Sequence, residues 1–99
     1  MALTLRQTIL ALMAQGEQSA ADLARALLLT PREIEAHLPH LARSQKGRLQ
    51  INPARCRSCG YVFRDRSRLD APGRCPRCKQ EQVEGPWFRL DGPPPAIKN

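Results

Sequence analysis

The sequence predicts a mainly α fold with a small β part: three helices, then a short strand hairpin whose tip carries a four-cysteine metal module. Three observations carry this reading. Helix-start signals recur in the first half at Thr4, Ser19 and Thr30. After Gly47 the apolar pattern changes from helical spacing to alternation. All four cysteines lie in the second half as two Cys-x-x-Cys pairs, Cys56/Cys59 and Cys75/Cys78, with fifteen residues between Cys59 and Cys75.

The first helix is expected over about Leu5 to Gln15. Thr4 followed by Gln7 makes a capping box, and Leu5, Ile9, Leu12 and Met13 form its apolar stripe. Gly16 stands where it should end. A second helix is expected over about Ala20 to Leu27, opened by Ser19 with Asp22, with Leu23 and Leu27 inward. The third should run from about Pro31 to Lys46 behind Thr30 and Glu33, with Ile34, Leu38 and Leu41 inward. Pro31 suits a first helical position, where no N–H is needed. Pro39 falls inside the helix and predicts a kink or break there.

Beyond Gly47, Leu49 and Ile51 alternate with Gln50 and Asn52 in a short strand ended by Pro53. Pro86-Trp87-Phe88-Arg89-Leu90 reads as a second strand. If the two pair, the metal module of about Arg55 to Gly85 occupies the hairpin tip. The expected organisation is a helical domain over 1–54 plus 86–91, an inserted ribbon over 55–85 and a disordered or extended Pro-rich tail over 92–99.

Two Cys-x-x-Cys knuckles point to one tetrahedral Zn²⁺ held by Cys56, Cys59, Cys75 and Cys78. Each knuckle delivers two thiolates from one tight turn, and the intervening loop is long enough to fold back. Gly60 can supply the left-handed backbone that turns N–H groups toward a sulfur, and Pro76 constrains the second knuckle. Disulfides within such short loops stabilise little and belong to secreted proteins. The start of the chain lacks a basic segment ahead of an apolar run, and no apolar stretch approaches the ~18 residues of a membrane helix. The expectation is a cytoplasmic, reduced protein with no membrane contact and one structural zinc ion.

The chain of 99 residues carries a formal charge of +7. Four ionised thiols and one Zn²⁺ would bring it to about +5. The excess is uneven: six Lys/Arg against four Asp/Glu over 1–50, ten against five over 51–99. A small basic protein fits a polyanionic partner. Four cysteines saturate a tetrahedral site, so His37 and His40 are not expected as ligands, and no catalytic set converges; the chain does not read as an enzyme.

Leu23 to Leu38 has a helix-turn-helix pattern, with small Ala24 at the helix crossing and Ile34 and Leu38 locking the second helix onto the first. Leu28 stands where such turns usually place glycine, at a left-handed position. Three helices followed by a hairpin is the order of a winged helix. The ribbon's stretches Pro53-Ala54-Arg55-Cys56-Arg57-Ser58-Cys59-Gly60-Tyr61-Val62-Phe63 and Arg74-Cys75-Pro76-Arg77-Cys78 carry a further likeness. Over residues 3–91 the chain resembles a small family of predicted transcriptional regulators of archaea and bacteria, in which a winged helix-turn-helix carries a rubredoxin-like zinc ribbon. The resemblance implies a role on double-stranded DNA.

At about 100° per residue, the face of the third helix opposite Ile34, Leu38 and Leu41 holds Arg32, Ala36, Pro39, His40 and Arg43. Arg32 is placed to reach a guanine edge, and Arg43 and Lys46 to meet phosphates, with His40 beside them. Arg64 and Arg66, just past the first knuckle, make a second candidate contact. Glu33 and Glu35 in the first turns oppose phosphate contact; Glu33 is explained as a cap. Two other readings stand beside DNA binding. One is a protein–protein adaptor that uses the winged helix and ribbon for docking. The other is a rubredoxin-like electron carrier with iron in the same ligand set. Nothing in the sequence indicates an oligomeric state.

Overall fold

The computed structural model describes residues 4–64, 69 and 72–92. Its elements are α1 (Leu5–Gln15), β1 (Gln18–Ser19), α2 (Ala20–Leu27), α3 (Pro31–Ser44), β2 (Leu49–Asn52), β3 (Arg55–Cys56), β4 (Val83–Glu84) and β5 (Trp87–Leu90). Apart from Gly92, the expected tail over 92–99 lies outside the described residues, as does Arg66.

All three helices open on complete capping boxes. Thr4 Oγ1 accepts from the Gln7 N–H at 3.1 Å while Gln7 Oε1 accepts from the Thr4 N–H at 2.8 Å. Ser19 with Asp22 and Thr30 with Glu33 repeat the exchange. Each box satisfies two helix-end N–H groups that would otherwise lack partners. The Thr30 N–H, and then its hydroxyl, hold the Glu33 carboxyl below the ordinary range, so this acid is engaged at the helix start.

The three helices close over one side of a three-stranded antiparallel sheet of order β1-β5-β2. Leu49 pairs with Leu90, and Ile51 with Phe88. On the other side of β5, Gln18 pairs with Phe88 and Ser19 with Trp87. The central strand drives Phe88 and Leu90 into a core otherwise made of Ile9, Leu10, Met13, Ala20, Leu23, Ala24, Ile34, Leu38 and Leu41. Thus the C-terminal strand supplies the large aromatic side chain that the aliphatic helices lack.

Several details differ from expectation. The buried stripe of α1 is Ile9, Leu10 and Met13, whereas Leu12 is half-buried and Leu5 is 37% exposed. α1 packs against β5 as well as α3, which rotates its inner face toward Leu10. On α2, Ala20 and Ala24 are buried beside Leu23, while Leu27 is half-buried. α3 ends at Ser44, short of Lys46, and runs through Pro39 without a break. Pro39 itself is exposed on the outer face of the helix. Ile51 stays 46% exposed on the edge strand β2.

From the β2–β5 ladder the two chains continue into a narrower ribbon. β3 and β4 pair through Arg55 with Glu84 and Cys56 with Val83. The cysteine module therefore stands at the tip of the hairpin. Gly85 lets the returning strand pass: at φ +84 its missing Cβ would lie 2.7 Å from the Trp87 ring and 3.1 Å from Ala54 Cα.

Candidate metal centre and basic face

The two knuckles are built alike. In the first, the Gly60 N–H donates to the Cys56 carbonyl at 3.0 Å and the Cys56 N–H donates to the Tyr61 carbonyl at 2.8 Å. In the second, Lys79 donates to Cys75 and Cys75 to Gln80, each at 3.0 Å. The fourth residue after the leading cysteine is left-handed in both, Gly60 at φ 80 and Lys79 at φ 66. Gly60 was legible as such a position; Lys79 was not, because lysine carries no preference for that backbone.

This symmetry turns the four sulfurs of Cys56, Cys59, Cys75 and Cys78 onto one point, all within 4.8 Å of one another. Cys56 Sγ is 3.5 Å from Cys78 Sγ, and Cys59 Sγ is 3.7 Å from Cys75 Sγ. Zinc–sulfur bonds of about 2.3 Å in a tetrahedron set sulfurs ~3.8 Å apart, whereas a disulfide needs ~2.05 Å. The cluster therefore fits a metal ion, and the cysteines are free of disulfides.

The backbone around the sulfurs favours negative charge. The Cys59 N–H is the main influence drawing the Cys56 thiol down to about 6, against burial and with help from Cys78, Ser58 and the Cys59 thiol. At Cys75 burial opposes ionisation, but the N–H groups of Cys78 and Arg77 prevail and lower it; the Arg77 N–H lies 3.4 Å from the sulfur. At Cys78 the Gln80 N–H pulls the other way, yet burial and the neighbouring sulfurs push the thiol up to about 12. Without a metal the cluster shares its protons; a cation of charge two would release them.

Around the centre, Ala54, Pro72 and Pro86 are buried, and the rings of Tyr61 and Phe63 meet edge to face at 5.0 Å. Arg55 donates to Glu84 at 2.9 Å and lies 5.4 Å from the Trp87 ring centre, while Arg57 approaches Glu84 at 3.9 Å. Arg55 thus ties the ribbon to the Trp87 ring of the sheet, while Arg57 pairs within the ribbon. A groove of about 460 Å³ runs between ribbon and helices, with Asp22, Arg25 and Pro31 on one wall and Arg57, Glu84 and Trp87 on the other.

On α3, Arg32, Ala36, Pro39, His40 and Arg43 are all exposed, and Lys46 follows in the turn, also exposed. Arg64 is exposed beyond the first knuckle, and Arg66 lies outside the described residues. Glu35 is half-buried and takes part in an interaction. The structure adds a residue that periodicity did not find. Arg6, on α1, donates from Nε to His37 Nδ1 at 3.2 Å. Arg6 is also the main cause that holds the His40 imidazole below its ordinary value, ahead of burial, Arg43 and His37. Four basic side chains from two helices therefore share one face, a proximity that only the tertiary packing of α1 on α3 creates.

Fold and site together define a winged helix-turn-helix with a four-cysteine ribbon in its wing. Comparison with known proteins agrees in both halves. The family model described as PF0610-like, N-terminal, matches residues 4–50, and that described as the PF0610 rubredoxin-like zinc beta-ribbon domain matches residues 53–92. The solution NMR structure of protein PF0610 from Pyrococcus furiosus is similar, with 34% identity, 89% of each chain covered and a TM-score of 0.60. The chain belongs to the PF0610-like family. No curated protein matches it. Among the described residues, no helix is long and apolar enough to cross a membrane.

Proposed function

We propose that the protein is a DNA-binding transcriptional regulator, with α3 as recognition helix and a ribbon folded around one structural Zn²⁺. Cys56, Cys59, Cys75 and Cys78 are the zinc ligands. Four thiolates leave no open coordination position, so the ion organises the ribbon and takes no substrate. Arg32 reads a base edge near the start of α3, while His40, Arg43, Lys46 and the ribbon's Arg64 and Arg66 meet the backbone.

The observation that carries this reading is the crowding of Arg6, His37, His40 and Arg43. Arg6 and Arg43 concentrate positive charge on this face; repulsion from Arg6 foremost, then burial and repulsion from Arg43, holds the His40 imidazole below its ordinary value. A polyanion relieves that repulsion, and the gain appears as affinity. Duplex DNA is such a polyanion, and a winged helix presents its recognition helix to it.

The test is selection of genomic fragments by the zinc-loaded protein, followed by titration at several salt concentrations. Expected are preferred sites bound well beyond the non-specific range of roughly 10⁻⁴–10⁻⁶ M, with affinity falling linearly on a log–log salt plot. Binding no tighter than that range for any fragment would refute the reading. The adaptor reading would then lead, favoured by one observation: Leu28, at the tip of the helix-turn-helix, is 91% exposed.

A further inference from the structure

The four cysteines of the centre differ in exposure. Cys75 is 0% and Cys56 2% exposed, Cys78 is intermediate, and Cys59 is exposed. The next residue, Gly60, has no side chain, and a Cβ built there would meet nothing within 4 Å, so the surface beside Cys59 is open. In the zinc-bound protein all four sulfurs are thiolates, so ionisation no longer distinguishes them and access decides which one a reagent meets. Behind Cys59, across the cluster, the buried sulfur of Cys75 lies 3.7 Å away.

Resting on the zinc reading above, we propose that Cys59 is the modification site through which the centre is opened. It reacts first with soft electrophiles, and with hydrogen peroxide it couples to Cys75 in a disulfide that expels the metal. In the first step the Cys59 thiolate attacks a peroxide oxygen. A sulfur–oxygen bond forms, the oxygen–oxygen bond breaks and hydroxide leaves. In the second, the Cys75 thiolate attacks the Cys59 sulfur: the disulfide forms, the sulfur–oxygen bond breaks and a second hydroxide leaves. Two thiolates have then lost two electrons to one peroxide, and zinc, unchanged in oxidation state, is left with two ligands. A ribbon held by that ion loses its fold in the same event, and a dithiol with fresh zinc restores it. Oxidant thereby controls whatever surface the ribbon contributes.

The full chain, zinc-loaded, is treated with one equivalent of iodoacetamide and its peptides are mapped by mass spectrometry. Expected is label on Cys59 first, then Cys78, with Cys56 and Cys75 last. Hydrogen peroxide is added in parallel beside a chromogenic zinc chelator. Zinc should appear in step with a peptide joining Cys59 to Cys75. Uniform labelling, or release that accompanies a disulfide within one knuckle, would overturn the proposal. The Cys59→His and Cys78→His variants each keep four ligands, and Cys59→His should release zinc to peroxide several-fold more slowly than Cys78→His. Equal rates in the two variants would also overturn it. A chain that retains no zinc before any reagent is added removes the metal reading and this one with it; a zinc-loaded chain that labels uniformly removes this one alone.

Discussion

Leu28 holds φ 57 and ψ 42, the left-handed backbone expected for that turn, with its side chain 91% exposed. A branched residue there carries about 1–2 kcal/mol of strain, and this one recovers little by burial. Leu28→Gly removes the strain and adds roughly 0.5–1 kcal/mol of unfolded-chain entropy, so a net gain on the order of 0.5–1 kcal/mol is expected. A denaturant midpoint that falls in the variant would contradict this. Gly85 is the reverse case: its φ of +84 and a 2.7 Å approach of the Trp87 ring make Gly85→Ala destabilising, by about 1–3 kcal/mol. His40 gives a third test at this scale. Arg6 of α1, then burial, Arg43 and His37 lower its folded pKa, so the unfolded chain takes up the proton at higher pH. Its contribution to stability is therefore fully present above the ordinary value near 6.5 and is lost as pH falls through the lowered folded value. NMR titration should show the His40 imidazole below that ordinary value, and Arg6→Ala should move it back up. An Arg6→Ala titration identical to the parent would mean that Arg6 does not set it.

At the scale of elements the ribbon and the helices rest on different forces. The helices share eleven buried residues with β5, whereas β3 and β4 pair over only two residues each. Without the metal, four sulfurs are left repelling or sharing protons at the ribbon's centre. Chelation, or Cys75→Ser, should therefore melt about residues 55–85 while the helical amide resonances persist, with a coupled stabilisation of ~10 kcal/mol lost from the ribbon. Ribbon amide shifts that stay unchanged after chelation would show that the metal is not its scaffold. The elements that sequence made legible are those with local signals. α1, α2 and α3 announce themselves by caps, and the knuckles by spacing. β1 was missed because Gln18 and Ser19 are polar and form a strand only through β5, almost seventy residues on. The place of Leu10 in the core was missed for the same reason, since α1 packs on β5 as well as on α3. Arg6 belongs with these: its partners His37 and His40 are neighbours only after α1 packs on α3.

For the whole molecule, the decisive question is whether the α3 face and the ribbon act as one DNA-binding surface. Each basic residue then has its own signature. Arg32 stands exposed at the second position of α3, where a guanidinium can bond both acceptors of a guanine. Arg32→Ala should relax sequence preference and cost about 1–3 kcal/mol on the preferred site. Arg43 lies eleven residues further along the helix and Arg64 out on the ribbon, both exposed. Arg43→Ala and Arg64→Ala should weaken all sequences alike and make the salt slope shallower by about one unit per lost phosphate contact. Arg6 differs from both. Its loss removes a phosphate contact but also lets His40 gain charge more readily, so the penalty of Arg6→Ala should shrink as pH is lowered toward the His40 titration. A penalty for Arg6→Ala that is flat in pH would separate Arg6 from the surface. If Arg64→Ala binds like the parent while Arg43→Ala is impaired, α3 binds DNA alone and the ribbon faces another partner. If Arg32→Ala, Arg43→Ala and Arg64→Ala all bind like the parent, the surface is not a DNA reader at all.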